Sequence, residues 1–584
     1  MAAAEPLSRT LVLLVDVLRT RHPLVVVTPA GVPQRTVDGE EAAALVRGII
    51  DVLARPAGLH WGSSHEFRGN LALALAVLVR HVGLEGPANV EEVLRVRALR
   101  QARPSLLAPR HLVGVGTAVA EAAEWAASLA LLRAEVLGAY RPCAEVLPRL
   151  LAKDALAADV PVKWRAAALA ALSTSLELLR SCDGAFLLAR LLQVLHHEHA
   201  LEHLVAAAAT DATVPFGAVS SGGSGKDDVR RGALSVLLEV SLHEMGASSL
   251  QSLNAVTRLT ATGAAQQCPL RLRGPCRVVG ALLGSLPGHG GVAEEALRFL
   301  EASKAAAAAA LEPTAALGSR QGLQDACAVA ALLASALGSL EKRLMSPAAL
   351  EAHFPQLVPP LLDKCWKLLH PLASFPSRSG PHSAPSAWSK LSPGGADETA
   401  LASQVRTLSP PACAPPPAAW VALDNLKAAD WWDLLQAVTT LLRRAAGLLG
   451  AAAPLGAAAP HPGAADGPAL GAALACAVAV AEDLLPVRGG DYDGLLAAAV
   501  ETAEGLMGLA AARATHSHAT PTEKAALATA LGIVRTGHAS GAGASVVDRA
   551  AALLAGNGGV FGAASESEFF LKKAAATLRE RLTS

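Results

Sequence analysis

Tyrosine is nearly absent from this chain. It occurs twice in 584 residues, and all aromatics together make only 3%. That scarcity argues against a surface that stacks nucleic-acid bases on aromatic rings. It also argues against a strand-rich fold, which draws on aromatic and β-branched residues. Net charge is lacking as well, since 50 Lys and Arg face 50 Asp and Glu. A neutral chain is not built for bulk capture of nucleic acid or an anionic membrane. Arg95, Arg97, Arg100, Arg103 and Arg110 are the one local basic run, and a solvated helix face beside a loop is the simpler reading of it. Paired cysteines are missing too. Cys143, Cys182, Cys268, Cys276, Cys327, Cys365, Cys413 and Cys476 are scattered, with no CxxC. This is neither a disulfide framework nor a zinc ribbon. It fits small buried thiols in a reducing compartment, the cytoplasm or the nucleus. No run of 18 strongly apolar residues stands out, so no membrane span is expected. The first residues hold no contiguous signal-peptide core. Arg9, Arg19 and Arg21, on an amphipathic stretch, leave organelle import as the alternative.

What the chain does have is alanine, leucine and valine, which dominate a 52% hydrophobic content. Alanine and leucine are the strongest helix formers. The clearest helical unit is Asp159 to Asp211. Leu169, Leu172, Leu176 and Leu179 recur at three and four, the period of one helix face. Asp159 is placed to accept the free N–H groups at the helix start, and Pro161 suits a first turn. Ser181 to Gly184 supplies a turn. A second helix is expected from Phe186 to about Ala209, carrying Leu187, Leu188, Leu191, Leu192, Leu195, Leu201 and Leu204. Two such helices pack antiparallel on their facing stripes.

The opening of this unit, Asp159-Val-Pro-Val-Lys-Trp-Arg165 and then an Ala/Leu helix, recurs at Asp228-Val-Arg-Arg-Gly-Ala-Leu234. Val547 to Leu554 is a weaker third echo. In these residues the chain resembles the armadillo and HEAT repeat class, where an acid in the inter-helix turn precedes Val-Arg and an Ala/Leu helix. The resemblance implies an architecture only. The two good copies lie 65 residues apart (Arg165 to Arg230), more than one repeat of about 40–47 residues. The expected fold is therefore all-α: an irregular armadillo/HEAT-like α-solenoid of antiparallel helix pairs.

Residues 1–373 are expected to form an N-terminal helical-repeat domain with a Gly/Ser-rich flexible loop at 216–228. Leu24–Thr28 is expected to form a short extended piece in a proline-rich loop. Residues 374–417 are rich in Ser, Pro and Gly and end in Pro415-Pro-Pro417. They cannot bury enough surface to offset their ordering entropy, so a disordered linker is expected. Residues 418–584 are expected to form a C-terminal helical domain with a low-complexity loop at 451–468. Near its start lie Trp420, Trp431 and Trp432, candidate partner contacts because tryptophan is a frequent interface anchor; core packing is the competing reading. Asp430 is expected to cap a helix with a core stripe of Leu434, Leu435, Val438, Leu441 and Leu442.

One constellation could carry chemistry. His199-Ala-Leu-Glu202-His203 fits the HxxEH pattern, and with Leu204 it resembles the zinc motif of the inverzincin peptidases. The resemblance implies a zinc ion on His199 and His203, one turn apart on one helix, with Glu202 activating a water. It covers about six residues, and the polar face of a solenoid helix is the simpler reading of them. Ser220 to Asp227 echoes a phosphate-binding loop but puts Ser220 where the first Gly belongs and Asp227 where Ser or Thr should bind metal. The expectation is thus a non-catalytic scaffold or adaptor that binds other proteins. It needs no cofactor, does not enter a membrane and disfavours nucleic acid. The runner-up is a metal-dependent hydrolase on His199, Glu202 and His203.

Overall fold

The computed structural model describes residues 6, 8–13, 25–27, 33–35, 39–54, 64–80, 131, 134–143, 146–181, 185–209, 224–261, 272–286, 290–341, 357–374, 430, 433–442, 444–445, 474, 477–478, 502–503 and 505–507. Almost everything described is helix, as the composition predicts. The exception is a small hairpin. β1 (Val25–Val27) pairs antiparallel with β2 (Pro33–Arg35), Val26 opposite Gln34. The extended piece expected at 24–28 thus has a partner strand.

The helices follow in order: α1 (Gly39–Ala54), α2 (His65–Val79), α3 (Val146–Leu156), α4 (Val162–Ser181), α5 (Ala185–His197), α6 (Ala200–Ala208), α7 (Ser224–Ser241), α8 (Glu244–Ser252), α9 (Ala255–Thr260) and α10 (Arg273–Ser285). α11 (Gly290–Ala302), α12 (Lys304–Ala310), α13 (Pro313–Ala316), α14 (Arg320–Glu341), α15 (Val358–Ser374) and α16 (Asp433–Leu442) come next, and residues 8–13 and 134–140 are helical as well. Two compact units emerge. One takes residues 1–91 and 114–295, the other 92–113 and 296–584. Residues 296–374 therefore group with the described residues beyond 430, although composition draws its line at 374–417.

The first unit is two rows of helices. α2, α4, α7 and α10 stack side by side as an inner row, and α1, α3, α5–α6 and α8–α9 lie along an outer row. The inner helices run parallel. Near their starts Gly69 of α2 lies against Trp164 of α4, and near their ends Arg80 and Glu177 are 3.8 Å apart. Gly232 of α7 then abuts Leu169 of α4, and Gly274 of α10 abuts Leu234 of α7. Parallel neighbours separated by a returning outer helix are the hallmark of stacked repeats. The leucine stripe of α4 is buried, with Leu169, Leu172, Leu176 and Leu179 at most 1% exposed.

The repeated Val-Arg opening has a physical reason. Arg165 Nε donates to the Ala155 carbonyl at 2.9 Å, and Arg230 Nε donates to the Ala208 carbonyl at 3.1 Å. Each carbonyl lies in the last turn of the preceding outer helix, where backbone acceptors have no helical partner. The two copies differ in the chain between staple and carbonyl, and that longer connection into α7 is one source of the irregular spacing. α7 itself starts at Ser224, inside the expected 216–228 loop. Asp159 does not sit at the helix start: α4 begins at Val162, the Pro161 carbonyl accepts from Trp164 and Arg165, and the Asp159 carboxylate lies 3.7 Å from His65.

The outer row holds a correction. The single helix expected from 186 to 209 is two helices, α5 and α6, broken at His199 with φ 54 and ψ 17. The same device recurs between α8 and α9 at Asn254, φ 51 and ψ 42. These are the only positive-φ non-glycine residues among those described. In this stretch two short outer helices alternate with one long inner helix: α5 and α6 with α7, then α8 and α9 with α10.

In the second unit α12 and α13 pack on α14 and on α15. α16 runs parallel to α14: Asp430 meets Arg320 at 2.7 Å and Gln324 at 3.0 Å, and Arg444 donates to the Ala334 carbonyl at 2.7 Å. Asp430 is itself helical and ties the chain to α14 rather than standing ahead of its helix as a cap. The expected core stripe holds, with Leu434, Leu435, Val438, Leu441 and Leu442 all buried. α14 corrects the reading that no segment is long and apolar enough to span a membrane: Arg320–Leu340 passes by length and composition, with mean hydropathy 1.5. Two thirds of that stretch (67%) is buried inside the structure, including Asp325, as for a core helix of a folded domain. Of the linker expected at 374–417, Ser374 is the last residue of α15; residues 375–417 and the loop at 451–468 lie outside the described residues.

Candidate functional site

The HxxEH residues sit at the α5–α6 break. His196, His197, Glu198, His199, Glu202 and His203 are all exposed. His199 stands at the left-handed junction and His203 lies in the first turn of α6, so the two no longer share an uninterrupted helix. The carboxylates have protein partners. Glu198 binds Arg149 of α3 at 2.9 Å, and Glu202 faces Arg258 of α9 at 3.6 Å. In this arrangement the acids link three neighbouring outer helices. Among the described residues no group of three or more His, Cys, Asp and Glu is placed to hold a metal ion.

A denser charged feature lies on the inner row, and sequence reading missed it. Arg180 at the end of α4 donates Nε to Glu239 of α7 at 2.9 Å. The Glu239 side chain is only 9% exposed, against 39% for Arg180. Burial pushes the Glu239 carboxyl above its ordinary range; the Arg180 bond and the Arg277 charge pull it back only in part, and Glu177 pushes it further up. The ladder therefore runs Arg80, Glu177, Arg180, Glu239, Arg277, across α2, α4, α7 and α10. No sequence motif announces it, because its members come together only when the four helices stack.

The outward stripes of these helices are regular. α4 presents Ala166, Ala170, Ser173, Glu177 and Arg180; α7 presents Asp228, Arg231, Ser235 and Leu238, with Leu242 just past its end. Leu242 is 41% exposed, unusual for a leucine beside a packed core. Tyr140 lies buried, its hydroxyl 2.8 Å from the Ser175 hydroxyl, and burial raises its pKa. It is a packing contact on α4.

The other expected site residues fall elsewhere. Trp420, Trp431 and Trp432 lie outside the described residues, as do the arginines from 95 to 110. Cys143, Cys276, Cys327 and Cys365 are not in disulfides. No family model and no curated protein sequence matches this chain. Among solved structures it is similar to UNC-45 from Drosophila melanogaster at 13% identity, over 94% of this chain and 82% of that one, with a TM-score of 0.19. At that score the likeness carries no argument, and the fold rests on the helices themselves.

Proposed function

We propose that this chain is a non-catalytic scaffold or adaptor that binds other proteins along its helical rows. The observation that carries the reading is the inner row: four parallel helices stacked in register, with a regular set of side chains turned outward on each. Such a row offers a long, stiff surface with no catalytic geometry needed, and its breadth suits a partner held over several repeats. That argument runs from architecture to use, so it leaves the pathway open: assembly, transport and cytoskeletal or ciliary roles all use such surfaces. The cytoplasm is the working location in this reading, and no cofactor is required.

The test is purification of the full chain under mild salt after brief cross-linking, with co-purifying proteins quantified. One or two partners near stoichiometry are expected. Recovery of the chain alone, at every salt concentration, would remove the scaffold reading.

A further inference from the structure

We infer that the outward face of α4, α7 and α10 binds an acidic, leucine-bearing extended segment of a partner protein. This inference rests on the scaffold reading and names the chemistry of the partner. The sign of the face decides it. Among the described side chains of the inner helices and their caps, Arg80, Lys163, Arg180, Arg231 and Arg277 are exposed, with Asp228 the one exposed acid. The chain as a whole is neutral, so positive charge is concentrated here. The remaining acids are already held. Glu177 lies 3.8 Å from Arg80, and buried Glu239 is bonded by Arg180. Arg231 has only Asp228 at 3.5 Å and is 75% exposed, and Arg277 is exposed above Glu239.

Spacing fits an extended chain. Packed helices lie about 8–10 Å apart, and a strand advances about 3.3 Å per residue, so one layer matches about three residues. A segment crossing from Arg180 to Arg277 passes two layers and spans about six residues. Between these arginines the row presents Leu238 of α7 and Leu242 just past its end, an apolar anchor point. Nucleic acid shares the negative charge, but no aromatic ring stands exposed on the described parts of these helices, so base stacking has no platform.

The experiment is fluorescence anisotropy with the full chain and three labelled probes: a peptide of four Glu-Leu-Asp repeats, a Lys-Leu-Lys peptide of the same length, and a single-stranded oligothymidine. The acidic peptide is expected to bind at least about tenfold more tightly than the basic one, and to weaken as salt rises from about 20 mM to about 500 mM. Arg231→Glu, on a highly exposed side chain, and Arg277→Glu should each lower its affinity by about tenfold, with the circular dichroism spectrum unchanged. Equal binding of both peptides, or an Arg231→Glu protein that binds the acidic peptide as tightly as the native one, would overturn the proposal. Tighter binding of the oligonucleotide, lost in the same variants, would overturn it in favour of a phosphate-backbone ligand. If the cross-linked partners persist in Arg231→Glu while the peptide fails to bind the native chain, the acidic segment falls and the scaffold stands.

Discussion

The Arg180–Glu239 pair gives an asymmetric prediction. The carboxylate is buried and the guanidinium is partly solvated, so losing one partner is not equivalent to losing the other. Arg180→Met leaves an ionised carboxylate in a dry layer between α4 and α7. Breaking a fully buried pair this way costs about 3–5 kcal/mol, and the exposure of Arg180 lowers that to about 2 kcal/mol. Glu239→Gln keeps an acceptor for Arg180 and removes the buried charge, so it should be neutral or stabilising at pH 7. The double change Arg180→Met with Glu239→Leu should lie close to the native chain. pH separates these cases further. Because the folded-state pKa of Glu239 is raised, its ionisation opposes folding. Native stability relative to Glu239→Gln should rise as pH falls through that pKa and decline again as pH returns to neutral. A chain of two units does not melt as one step, so the assay is hydrogen exchange of peptides covering α4 and α7. A loss of about 2 kcal/mol appears as about thirtyfold faster exchange there. If Glu239→Gln exchanges as fast as Arg180→Met, or Arg180→Met exchanges like the native chain, the reasoning fails.

His199→Gly should stabilise the α5–α6 break by about 0.5–1 kcal/mol, because left-handed strain of about 1–2 kcal/mol exceeds the added freedom of glycine in the unfolded chain; Asn254→Gly should gain less, and slower exchange in α5–α6 peptides is the readout. Gly69→Ala would place a methyl 2.5 Å from the Trp164 ring, so a loss of about 1 kcal/mol is expected after the helix-propensity gain, while Gly48→Ala, which meets nothing within 4 Å, should gain up to about 1 kcal/mol, both read by hydrogen exchange of the α1 and α2 peptides. The Cys365 thiol is buried and pushed up to about 12, so iodoacetamide at pH 8 should leave it unmodified in the folded chain and alkylate it in urea, as peptide mass spectrometry would show.

Much of the helical pattern was legible. The stripes of α4 and α16 were readable because a 3.6-residue period marks a buried face without any knowledge of what covers it. The break at His199 was not readable for the same reason. Leu195, Leu201 and Leu204 are all buried on either side of it, so the apolar pattern runs through the kink unbroken. Asn254 hid in the same way. Of the candidate zinc residues, position and spacing were legible, but not that Glu202 faces Arg258, 56 residues away. The hairpin was half visible, since Val25–Val27 looks extended on its own and Pro33–Arg35 does not. The early start of α7 was obscured by glycine and serine, which read as loop.

By itself, the amino-acid order determined that this protein is helical, which faces of its helices are apolar, and that an arginine opens two of its inner helices. Those are local properties, set within one or two turns by propensity and period. The tertiary structure alone decided which helices are neighbours, that α2, α4, α7 and α10 run parallel, and that basic side chains collect on their outward face. It also decided that Arg320 meets Asp430 across a separation of 110 residues. A leucine stripe specifies that it must be covered and not by what. The choice of cover, and with it the place where charge gathers, belongs to the packing of the whole stack.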